Sequence, residues 1–133
     1  MYYEEHGEGT PLLLLSGTGW SAEHWNLEQV PYFSKFYRVI NFDYRGCGRS
    51  DRPEETYTTP MFANDAVELL DSLGIDEPAH VLGHSMGGRV AQWIVLDHPE
   101  RVRSLVLAAT GPGRAWQMES APSKSLCPHF EIT

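Results

Sequence analysis

Short runs of Leu, Val and Ile alternate with amphipathic stretches along most of this chain, and Gly and Pro punctuate the changes. Four runs, Pro11 to Ser16, Tyr37 to Phe42, Ala79 to Gly83 and Ser104 to Ala109, have the length and apolar continuity of strands buried on both faces. Tyr2 to Glu5 adds an edge strand. Between the second and third runs, Phe62, Ala66, Leu69, Leu70 and Leu73 recur at i, i+4, i+7, i+8 and i+11, which is one face of a helix. Thr59 as N-cap, Pro60 at the first helical position and Gly74 after the last turn punctuate that helix. A second helix is expected from Met86 to Asp97, stopping before Pro99, with Gly87, Gly88 and Ala91 as a small-residue face toward the sheet. Strand and helix in alternation predict an α/β fold around a mostly parallel sheet. The third and fourth runs are expected at its centre, with Leu82 and Leu107 almost fully inaccessible. After Gly111-Pro112-Gly113 neither period continues, so the pattern divides the chain into a structured 1–113 and an irregular tail, 114–133.

A length of 133 residues suits one compact core. With 10 Lys and Arg against 18 Asp and Glu the formal net charge is −8, which repels a phosphate backbone and leaves no basic face for an anionic membrane. The longest apolar run, Leu12 to Leu15, is far below the roughly 18 residues of a membrane span, and the start does not have the pattern of a signal peptide. A cytoplasmic protein acting on a small molecule is the expectation, with no nucleic acid and no membrane as partner. Cys47 and Cys127 lie far apart without a CxxC spacing, so they are expected as reduced thiols rather than as a zinc knuckle or a disulfide framework.

Chemistry concentrates at Gly83-His84-Ser85-Met86-Gly87, which follows the apolar Val81-Leu82 and opens the second helix. A serine on a sharp strand-to-helix turn needs small residues two before and two after it, and both are Gly here. The turn exposes Oγ above the sheet at a helix N-terminus, where dipole and N–H groups favour a developing negative charge. The alternative is a glycine-rich turn whose Ser85 only caps the helix.

With this elbow, two further stretches resemble the α/β-hydrolase family over about residues 2 to 113. Asp43-Tyr44-Arg45-Gly46-Cys47-Gly48-Arg49-Ser50, followed by Pro53, is similar to the family's D-x-R-G-x-G-x-S block, a long and specific signature. Leu15-Ser16-Gly17-Thr18-Gly19-Trp20 stands where family members carry an H-G-x-x loop, with Ser16 in place of the histidine, as in enol-lactonase-like and aminoacrylate-hydrolase-like members. The resemblance implies a serine hydrolase of esters, lactones or related acyl compounds without cofactor or metal, with Ser85 as nucleophile and the N–H groups of Thr18 and Met86 as oxyanion hole. The residue after a nucleophile necessarily provides one such donor. For residues 15–20 a plain strand-to-loop turn stands as the alternative.

A different class competes on one stretch. Gly17-Thr18-Gly19-Trp20-Ser21-Ala22 reads as G-x-G-x-x-A after a strand, and Asp43 ends the next strand, as in a dinucleotide-binding fingerprint. That reading explains neither Ser85 nor its elbow.

A serine hydroxyl needs a histidine base held by a carboxylate, and in this family's order both follow the serine. After Ala109 the chain holds Glu119, Glu131 and His129 as candidates and no Asp. His84, as the variable residue of the elbow, is expected to point away from Ser85; His98 falls at the far end of the helix; His6 and His24 are expected at the surface. His80 and His84 straddle a strand and a turn, which does not suit a metal. The sequence therefore predicts a chain carrying the nucleophile half of a hydrolase, with a catalytically incomplete ligand binder as the second reading. The last apolar run would be an open sheet edge, through which copies of the chain could associate.

Overall fold

The computed structural model describes residues 1–112. Five strands are present: β1 (Tyr3–His6), β2 (Pro11–Leu15), β3 (Arg38–Phe42), β4 (Ala79–His84) and β5 (Val102–Ala108). They form one sheet in the order β1-β3-β2-β4-β5, with β1 antiparallel to β3 and every other pair parallel. From β2 the chain moves to β3 on one side and later to β4 on the other. In open α/β sheets such a reversal opens a crevice at the carboxyl ends of the two strands between which it falls, here β2 and β4.

Alternation within the apolar runs explains how both faces are filled. Leu13 and Leu15 of β2, Ile40 and Phe42 of β3, and Ala79 and Val81 of β4 share one core with the helices α2 (Thr59–Ser72) and α3 (Met86–Asp97). Leu12 and Leu14 point the other way and pack with Val39, Trp25 and Val30 under the short helix α1 (Gln29–Phe33). Leu13, Leu14 and Leu15 are wholly buried, and truncation of one such side chain to Ala removes about 2–5 kcal/mol.

The helices begin where their first turns can be satisfied. In α2 the cap is Thr58 rather than Thr59: Thr58 has extended backbone and its Oγ1 accepts from the N–H of Met61 at 3.3 Å, so Pro60 occupies the second helical position. The expected face is otherwise seen, with Phe62, Ala66, Leu69 and Leu70 buried and Leu73 packed at its edge. Gly74, at φ +67°, ends it. The helix α3 has the expected bounds, and a short 3-10 turn at Pro99–Arg101 leads into β5.

Two expectations fail at the β5 side. Leu107 is 43% exposed, because β5 has no strand beyond it among the described residues. Leu82 is only half-buried, since α1 covers β2 and β3 on that face and leaves β4 thinly covered. Cys47 is buried and disulfide-bonded, which corrects the expectation of a reduced thiol; the lack of a CxxC spacing does not exclude a bond over a long sequence separation. Cys127 and the rest of the expected tail, 114–133, lie outside the described residues.

Candidate active site

Ser85 stands between β4 and α3 at the sheet's reversal point, with φ 53° and ψ −115°. A non-glycine residue there carries strain of about 1–3 kcal/mol and persists only where its surroundings over-determine it. Three contacts do so. The Ser85 N–H donates to the carbonyl of Ala108 at the end of β5 (2.9 Å), its carbonyl accepts from the Gly88 N–H (3.1 Å), and the Thr110 hydroxyl donates to the same carbonyl (2.6 Å). Thr110 was not singled out from sequence, because its contact with Ser85 spans 25 residues and depends on β5 lying beside β4.

The two flanking glycines are required by space. A Cβ on Gly83 would stand 2.4 Å from the carbonyl oxygen of Gly87, and one on Gly87 would stand 2.0 Å from that of Leu15. The elbow is thereby pressed against the end of β2, and α3 leaves at once over the sheet. Met86, buried as the first residue of α3, has an N–H with no partner inside its own helix. Thr18 lies in the exposed loop after β2, and its N–H likewise makes no hydrogen bond among the described residues. The site thus has a serine of strained backbone at a helix N-terminus, with the Met86 and Thr18 amides as open donors among the described residues, the elements from which an oxyanion site is built.

The block from Asp43 to Ser50 is structural, and each of its residues has an assignable contact. Buried Asp43 accepts through Oδ1 from the N–H of Ala22 (2.6 Å) and through Oδ2 from the N–H of Arg49 (2.8 Å), pinning two loops. Ser50 Oγ donates to the Asp43 carbonyl and accepts the N–H of Tyr2. A Cβ on Gly48 would collide with the Asp43 carboxylate, and one on Gly46 with the Tyr57 ring. Arg45 forks onto Asp65 of α2, donating from Nε at 2.6 Å and from Nη2, and reaches Glu55 through Nη1 at 2.8 Å. Ser16, in the place of the family's histidine, is buried and accepts the indole N–H of Trp25 at 2.8 Å.

This geometry decides the competing reading of residues 17–22. The Asp43 carboxylate, which would have to receive a ribose, is buried against two backbone amides, and the loop enters a 3-10 turn of only three residues, Ala22–His24. A dinucleotide fingerprint needs a free acidic side chain and a full helix at that point. The sequence profile of the alpha/beta hydrolase fold matches residues 10–125.

The chain belongs to the α/β-hydrolase family. It is 40% identical over 107 residues to a protein of Azorhizobium caulinodans named as the carbamate hydrolase RutD, a stretch covering 80% of this chain and 40% of that one. Among solved structures it is similar to an enzyme described as degrading N-acyl homoserine lactone (TM-score 0.78, 36% identity, 83% of this chain and 42% of the other). It is also similar to the enol-lactonase of Burkholderia xenovorans (TM-score 0.77, 31% identity, 82% and 43%). The chain therefore spans about two fifths of the length of these hydrolases.

Seen as part of an α/β-hydrolase, the elbow has two further features. Among the described residues, Ser85 Oγ makes no hydrogen bond to a histidine or to any other group. His84 makes no hydrogen bond to Oγ among the described residues, and its ring stacks on Trp20 at 4.6 Å between centroids. His24, expected at the surface, is half-buried and stacks on the same indole at 4.9 Å. His98 meets Asn64 at the far end of α3, and His6 sits beside Glu4. Glu119, His129 and Glu131 lie outside the described residues. No described helix is long and apolar enough to cross a membrane.

Proposed function

We propose that Ser85 is the nucleophile of a serine hydrolase that acts on an ester, a lactone or a related acyl compound of small size. The observation that supports this most is the strained backbone of Ser85 at the head of α3, held at the reversal point of the sheet by Ala108, Gly88 and Thr110. The related chains named above as acting on a carbamate, an N-acyl homoserine lactone and an enol-lactone agree with an acyl carbon as the reacting centre. In this reading Oγ adds to that carbon, and the carbonyl oxygen, as it becomes an oxyanion, receives the N–H groups of Met86 and Thr18. A histidine that follows Ser85 in the chain takes the Oγ proton and passes it to the leaving alcohol or amine as the carbon–leaving-group bond breaks, and water then releases the acyl group and restores the Ser85 hydroxyl. A cytoplasmic site of action belongs to the same proposal; the disulfide at Cys47 is the feature that weighs against it.

A second reading has its own observation. Because Oγ has no histidine partner among the described residues, the 133-residue chain by itself would bind an acyl compound without turning it over.

The test uses the purified 133-residue chain with a fluorophosphonate and with 4-nitrophenyl acetate. The phosphonate is expected to label Ser85 ahead of every other serine, with the adduct lost in Ser85→Ala. Single labelling needs only the residual acceleration of an oxyanion site, about 10³–10⁴-fold over water where the site is well formed. Labelling spread evenly over several serines would overturn the nucleophile. Ester turnover little above the uncatalysed rate, unchanged in Ser85→Ala, supports the second reading for this chain. Robust turnover that disappears in both Ser85→Ala and His129→Ala overturns that second reading and assigns the base to His129.

A further inference from the structure

We infer that Trp20 is a positioning residue for the Thr18 amide, acting through its stacking on His84 and His24; this rests on the hydrolase reading above. Gly17 to Trp20 forms a tight turn closed by the Trp20 N–H on the Gly17 carbonyl (3.2 Å), with Gly19 at φ +75° and Thr18 in the second position. A turn of that form fixes the direction of each peptide plane within it, so the Thr18 N–H is aimed by whatever holds the turn's two ends. The first end rests on the elbow: a Cβ on Gly17 would stand 3.0 Å from His84 Nδ1 and 3.3 Å from Ser85 Cβ. The second end is Trp20.

The indole of Trp20 stacks on two imidazoles. His84, the residue before Ser85, is 4.6 Å away at an interplanar angle of 22°, and His24 is 4.9 Å away at 10°. The Trp25 ring meets it edge-on at 6.3 Å and 77°, and Trp25 is itself tied to Ser16 at the end of β2. His24 is held in the 3-10 turn, where its Nδ1 accepts the Ser21 N–H at 3.1 Å. The stack therefore joins the elbow, the loop after β2 and the 3-10 turn through a single side chain. Trp20 is 37% exposed and already stacks on two imidazoles, which occupy ring area that a planar ligand would need. Stacked pairs of this kind constrain orientation as well as burying area. Without the indole the far end of the turn is held only from Ala22, two residues on, whose N–H donates to Asp43, and a shift of about 1 Å in a catalytic donor is enough to slow a reaction by about 10²-fold.

The experiment measures the second-order rate of fluorophosphonate labelling at Ser85, and amide hydrogen exchange at Thr18, in the 133-residue chain and in Trp20→Ala, Trp20→Leu and Trp20→Phe. Trp20→Ala is expected to label at least about 10-fold more slowly, toward the 10²–10³-fold that loss of one oxyanion donor produces, with faster exchange at Thr18. Trp20→Leu, which keeps apolar bulk without a ring, should behave like Trp20→Ala and stands in for it if that variant fails to fold. Trp20→Phe should stay close to the parent rate. Equal labelling in the parent, Trp20→Leu and Trp20→Ala overturns the positioning role while leaving Ser85 as nucleophile. A parent chain that does not label at Ser85 overturns the hydrolase reading and this inference with it.

Discussion

Ser85 adopts a backbone that glycine would adopt more easily, and this gives a prediction at the scale of one residue. Ser85→Gly removes strain of about 1–3 kcal/mol and adds about 0.5–1 kcal/mol of lost chain entropy, so it is expected to stabilise the fold by up to about 2.5 kcal/mol. Ser85→Ala keeps the Cβ and should leave stability nearly unchanged; urea unfolding of both variants checks the difference. Gly87→Ala is expected to go the other way, by about 1–3 kcal/mol or more, because its Cβ would meet the Leu15 carbonyl oxygen at 2.0 Å and both partners are backbone. The need for these glycines was legible in the sequence, since it follows from a turn five residues long. The partners of Ser16 and Ser85 were not. Trp25 and Thr110 reach them only because a loop and a strand return to the same end of the sheet.

Arg45, Asp65 and Glu55 tie the loop after β3 to α2, and at the scale of elements this pair of contacts sets the position of the helix. The Asp65 side chain is 4% exposed, so Arg45→Ala leaves a buried carboxylate without its partner and is expected to cost about 3 kcal/mol, the low end for a buried pair because solvent reaches Arg45. Arg45→Lys should recover less than half of this, since an ammonium cannot supply the forked contact; thermal unfolding of the two variants gives the comparison. Glu4 does similar work for β1. Partial burial alone would raise its pKa, but hydrogen bonds from Tyr2 and Asn26, the contact with His6 and the charge of Arg49 together bring it down to about 2. A carboxylate with a lowered folded-state pKa contributes stability that is full above its unfolded value and declines as pH falls toward the folded one. Stability is therefore expected to drop between about pH 4.5 and pH 2, and acid titration of Glu4→Gln should show a shallower decline over that window.

For the whole molecule the open side of the sheet matters most. Val106 is 53% exposed and Leu107 43%, on a strand with unpaired edge groups among the described residues. Copies of the chain are expected to associate through this edge at concentrations of about tens of micromolar, where exposed strands commonly pair. Val106→Lys should reduce that association in light scattering, and a chain that stays monomeric throughout the range would remove the proposal. The same openness explains why Leu107 is less buried than its apolar run implies, as the thin cover over β4 does for Leu82. A run of Leu and Val encodes a strand that is able to be covered on both faces, and the cover itself comes from other parts of the chain.

From the sequence alone came the α/β alternation, the five strands within a few residues, both long helices, the elbow and the family block. Each of these depends on a repeat of two or 3.6 residues or on a local steric rule that any window of ten residues displays. The tertiary structure decided the strand order, and with it the reversal between β2 and β4 that puts Ser85 beside the loop of Thr18. It also decided that Asp43 binds two backbone amides instead of standing free, that Thr58 and not Thr59 caps α2, and that His24 and His84 both stack on Trp20. Residues 24 and 84 share no period and no motif. Their rings share one indole because β2 and β4 are adjacent parallel strands that deliver their following loops to the same end of the sheet, a fact of topology that no local pattern contains.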